Sequence, residues 1–90
     1  MDNEPLKKAL EQLHAELEKT QAVDEDQSDL LQHLVKDVKD LLARSGEIDP
    51  EKDSSITARL TQAIGLFEIT HPLLTEQIDK LLNILSSAGI

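Results

Sequence analysis

Residues 54–88 read SSITARLTQAIGLFEITHPLLTEQIDKLLNILSSA, and this stretch decides the fold. Leu60, Ile64, Phe67, His71, Leu74, Ile78, Leu81 and Leu85 follow one another at alternating steps of four and three. That spacing is the seam of an amphipathic α-helix. Pro72 lies in its middle. A proline inside a helix removes one hydrogen bond, clashes with the carbonyl four residues back and disfavours helical backbone at the residue before it, here His71. Yet the heptad phase passes through Pro72 unchanged, and a loop usually loses phase. The sequence therefore predicts one long third helix over about 54–88, capped by Asp53 or Ser54 and kinked near Pro72. It would be roughly 50 Å long. The alternative is four short helices, with a break at 70–72.

Upstream, residues 45–53 form a polar segment containing Gly46 and Pro50, and they predict a mobile loop. Before it, Asp24 is placed to cap a second helix over about 24–44, with Gln27 at the capping-box position. Leu30, Leu31, Leu34, Val35, Val38, Leu41 and Leu42 give that helix a broad apolar face, and Gly46 is suited to end it. A first helix over about 3–19 has Pro5 in its opening turn and a narrow stripe of Leu6, Leu10, Leu13 and Leu17. The expected fold is all-α: a helical hairpin plus the long third helix, in a single domain over 1–90.

Composition limits the function. The 90 residues carry 18 Asp+Glu against 9 Lys+Arg, a net charge of -9. Phosphate binding needs a basic surface, so nucleic acid is not expected as a direct ligand. With no cysteine, disulfide scaffolds, zinc fingers and thiol enzymes are excluded. No apolar run is long enough for a membrane span, and the acidic start Met1-Asp2-Asn3-Glu4 does not resemble a signal peptide. The expected location is the cytoplasm.

The chemical motifs are sparse. Glu11-x-x-His14 and Glu68-x-x-His71 each have the spacing of half a di-iron carboxylate site. However, Glu11 falls well off its leucine stripe, and the second helix offers no inward-facing carboxylate. The acidic run Asp24, Glu25, Asp26 and Asp29 fails as a calcium loop, because Asp29 stands where glycine is required and Val35 where glutamate is required. It reads instead as a helix N-terminus. His71, beside Pro72, reads as a residue that satisfies backbone groups at the break, with a pH switch as the other reading. No catalytic triad or phosphate loop can be assembled. No cofactor, metal or catalytic residue is expected.

Three segments resemble a known group. They are Leu10-x-x-Leu13-His14-x-Glu16-Leu17, Leu30-Leu31-x-x-Leu34-x-x-Asp37-Val38-x-x-Leu41-Leu42, and Phe67-Glu68-x-Thr70-His71-Pro72-x-Leu74 running on to Ala88-Gly89-Ile90. The group is a family of short, acidic, all-helical bacterial proteins catalogued as a domain of unknown function. The resemblance covers essentially the whole chain. It implies a stand-alone bacterial protein and brings no catalytic residue to carry over.

The expected function is a non-catalytic interaction or adaptor module, with a metal-binding bundle or an acidic nucleic-acid mimic as alternatives. A second stripe of Leu66, Ile69, Leu73 and Ile84 would leave the long helix partly uncovered. That predicts a homodimer, coiled-coil in style. Its candidate interface is Leu66, Phe67, Ile69, His71, Leu73, Leu74, Ile78, Leu81, Ile84 and Leu85. A protein partner of unknown identity is the other expected contact.

Overall fold

Caps and prolines divide the chain into four helices. In the computed structural model, which describes residues 4–44, 47 and 49–87, these are α1 Glu4–Lys19, α2 Glu25–Ala43, α3 Pro50–Phe67 and α4 Pro72–Ser87. Gly46 and Ala88-Gly89-Ile90, invoked above, lie outside the described residues. The all-α expectation holds.

α2 begins as its sequence predicts. Asp24 Oδ1 accepts the Gln27 N–H at 2.8 Å, satisfying one of the donors that every helix start leaves over. Gln27 does not complete the usual capping box. Its Oε1 accepts the N–H of Val23 instead, at 3.1 Å.

α3 begins earlier than predicted. Asp49 is its N-cap and accepts from Glu51 N at 3.0 Å, with Pro50 in the first turn. Pro50 loses nothing there, since that N–H has no helical partner anyway. Asp53 and Ser54 are therefore helix-interior residues, not caps, and the loop expected over 45–53 gives up its last four positions to helix.

The single helix over 54–88 is not formed. The chain leaves α3 at Phe67, turns through Glu68–Thr70, and re-enters helix at Pro72. His71 sits at the N-cap position of α4, its carbonyl accepting Thr75 N at 3.2 Å. Pro72 thus starts a helix, where its missing N–H costs nothing, and kinks none. Size agrees with the break. The longest dimension of the molecule is 39 Å, shorter than the roughly 50 Å that an unbroken helix of that length requires.

Each helix packs against two others: α1 on α2 and α4, α3 on α2 and α4. The diagonal pairs α1–α3 and α2–α4 do not meet among the described residues. Short connections between sequential neighbours make this an up-down-up-down four-helix bundle. Its axis is lined by Leu6, Leu10, Leu13 and Leu17 of α1; Leu30, Leu34, Val38 and Leu41 of α2; Ile56, Leu60, Ala63 and Phe67 of α3; and Leu74, Ile78, Leu81 and Leu85 of α4. The α3 seam differs from the predicted one. Ala63 is fully buried while Ile64 sits on the flank.

Candidate functional site

An up-down bundle gathers its connections at two ends. The α1–α2 and α3–α4 connections share one end, here called the tip. Gln27 fastens them together. Only 3% exposed, it bonds Val23 N through Oε1, and its Nε2 donates to the Leu66 carbonyl at 3.2 Å and to Thr70 Oγ1 at 3.0 Å. One side chain therefore spans from the α1–α2 connection to both sides of the α3–α4 turn.

The chain of hydrogen bonds continues to His71. Thr70 Oγ1 lies 2.8 Å from His71 Nδ1. Thr70 Oγ1 thus joins Gln27 to the His71 ring, since one hydroxyl serves as both donor and acceptor. The ring also meets Phe67 edge-on, with centroids 5.5 Å apart and planes at 78°. His71 is half-buried, and its role at the break differs from the expected one. The ring bonds a side-chain hydroxyl, while the backbone N–H of His71 satisfies the Phe67 carbonyl at 2.7 Å.

Replacing Gln27 by Leu removes the hydrogen bonds that tie these part-buried backbone and hydroxyl groups to one another. The expected loss is about 1–3 kcal/mol, read as a lower thermal midpoint with faster amide exchange confined to residues 22–27 and 66–72.

Around this clasp, apolar side chains face water. Val23 is 63% exposed, Leu73 67% and Ile69 89%, and all three belong to the tip. Beside them a hollow of about 250 Å³ opens between the end of α1 and the start of α4, walled by Glu16, Lys19 and Thr20 on one side and by Pro72, Leu73 and Leu74 on the other. Cofactor and drug-sized pockets usually run from about 300 to 1,000 Å³. This hollow suits one large side chain better than a cofactor.

The metal motifs do not converge. Glu11 and Glu68 are exposed, and His14 Nε2 lies 3.3 Å from Glu18. Among the described residues, no group of three metal-ligating side chains comes together. No described helix is long and apolar enough to cross a membrane. Of the ten candidate interface residues, Phe67, Leu74, Ile78, Leu81 and Leu85 are buried in the chain's own core. Leu66 and Ile84 pack on its edge, His71 is half-buried, and only Ile69 and Leu73 are largely open. Val23 was not among them. A lone valine between Ala22 and Asp24 carries no periodicity, so only the folded ends reveal it.

A family model described as a domain of unknown function, DUF4404, matches residues 6–90. The chain belongs to the DUF4404 family. No curated protein and no solved structure matches it.

Proposed function

We propose that this DUF4404 chain is a non-catalytic protein-interaction module whose contact surface is the tip. One observation carries the reading: Val23 of the α1–α2 connection, Ile69 of the α3–α4 turn and Leu73 in the first turn of α4, the exposed large apolar side chains among the described residues, share one end of the bundle. Exposed apolar residues scattered singly need no explanation, but residues gathered at one place mark a contact surface. The long sides of the bundle are polar by comparison.

The sequence-based argument for a homodimer rested on a long helix left partly bare. Its seam is covered within the chain, and the large apolar side chains most open to water lie at the tip. Self-association there would set like charges against each other, and for this reason the proposed partner is a different protein.

A photo-reactive residue placed at position 69 or 73 in living cells tests the reading. Discrete cross-linked species are expected from both positions and not from Gln32 or Asn83, exposed on the helix sides. Adducts only from the helix-side positions would overturn it, and a cross-linked homodimer from position 69 would return the chain to self-assembly.

A further inference from the structure

The apolar tip has a charged surround. Residues 16–26 and 66–76 contain seven carboxylates, Glu16, Glu18, Asp24, Glu25, Asp26, Glu68 and Glu76, against one cation, Lys19. Most of the basic residues stand elsewhere. Lys7, Lys8, Lys36, Lys39, Arg44 and Lys52 belong to the half of the bundle that holds the α2–α3 junction. An apolar centre inside an acidic rim follows the general anatomy of a protein interface, and the sign of the rim selects the partner.

We propose that the tip receives a cationic amphipathic segment of another protein, with an aliphatic or aromatic side chain entering the hollow between α1 and α4 and flanking lysines or arginines meeting the rim. This rests on the tip being the contact surface and adds the chemistry of what binds. Three features favour this occupant. The hollow accommodates one large side chain, and central anchors of that kind carry most of an interface's affinity. Leu73 lines it, and Ile69 adds exposed apolar surface from the adjoining turn. The rim repels a second copy of the chain, a nucleic acid or an anionic membrane alike, and steers a cationic segment toward the tip.

The test uses the full ¹⁵N-labelled chain and three synthetic peptides: an amphipathic Leu/Lys helix, its Leu/Glu counterpart, and a Ser/Lys peptide of the same charge without apolar residues. The Leu/Lys peptide is expected to shift amides of residues 20–27 and 66–76, and to bind at least about tenfold tighter than either control. Its affinity should fall as salt rises. The double variant I69S/L73S should lose about tenfold or more. Both side chains are exposed, so its amide spectrum should remain that of the folded bundle. Equal binding of the Ser/Lys or Leu/Glu peptide would overturn the proposal, as would unchanged affinity in the double variant or shifts centred on the α2–α3 junction. If the Leu/Lys peptide fails while position 69 still cross-links a protein in cells, the basic partner is wrong and the tip stands. If both fail, neither stands.

Discussion

Replacing Phe67 by Ala is expected to destabilise the bundle by about 3–5 kcal/mol. Phe67 is the only aromatic residue in the chain and is fully buried. It closes α3, and its ring supports His71 at the turn. Leucine dominates the remaining core, and the chain has no second Phe, Tyr or Trp to fill the space. A domain has about 5–15 kcal/mol in all, so the loss is a large share of the total. Urea denaturation should show the midpoint falling by roughly 2 M, with the slope little changed. Phe67→Leu keeps most of the volume and should cost less than about 1.5 kcal/mol. Because the cavity lies beneath the turn, the Ala variant should also exchange the amides of residues 68–73 faster while it remains folded. An Ala variant as stable as the parent would mean that Phe67 does not fill the end of the core.

The second large effect lies at the opposite end of the bundle. Asp53 is 4% exposed, in the first turn of α3. Arg44 Nη2 and Nη1 donate to its two oxygens at 2.9 and 3.2 Å, and Asp49 N donates at 2.7 Å. Arg44 reaches Asp40 on α2 as well, at 3.2 Å. The hydrogen bond that Arg44 donates to Asp53 raises the guanidinium pKa above its ordinary value, against the opposing effect of burial. For a base held high, the stabilisation is present at every pH below its unfolded value and is lost only as pH rises through the folded one. That window lies above the range in which the protein would be studied, so Arg44 itself adds no pH dependence there.

Truncating Arg44 to Ala takes the cation away from a nearly buried carboxylate, which keeps the hydrogen bond from Asp49 N. Losing one partner of a buried pair typically costs about 3–5 kcal/mol. The Arg44 side chain is 31% exposed, so water takes over part of its work and about 2–3 kcal/mol is expected. The double variant R44M/D53L should recover at least about half of that, since an apolar pair of similar volume removes the stranded charge. Paired urea titrations of the two variants would check this. A neutral Arg44→Ala would place Asp53 in contact with solvent.

Most of the fold is legible in the sequence because leucine spacing in α1, α2 and α4 matches the helical period, and Asp24 announces the start of α2. The break between α3 and α4 is not legible, for a geometric reason. Phe67 and Leu74, the last and first core residues around the turn, are separated by seven positions, one heptad. The turn therefore preserves the phase that a loop usually destroys. His71 made the pattern look continuous, although its ring sits on the flank and bonds Thr70. The start of α3 was misplaced because Asp49-Pro50 and Asp53 both resemble helix starts. The buried contact from Arg44 to Asp53, which crosses the α2–α3 junction, is invisible to local pattern.

The tip was half legible. Ile69 and Leu73 stand out as apolar residues beside the main seam, but on a long helix they point to a dimer along its side. Once the helix breaks, the same residues move to an end of the bundle and join Val23. Gln27 carries no signal of its role as a clasp. Its partners lie about forty residues away, at Leu66 and Thr70.

Everything at the tip depends on the chain reversing at 68–71. The most direct test is the ¹³Cα chemical shifts of residues 54–87 in the full chain, read together with contacts between α1 and α4 side chains. Helical shifts through Phe67, non-helical values at Ile69 and Thr70, helical values again from Pro72, and methyl contacts between the α1 and α4 leucines within one chain are the predicted result. Uninterrupted helical shifts across Pro72, with those contacts arising between chains, would contradict it.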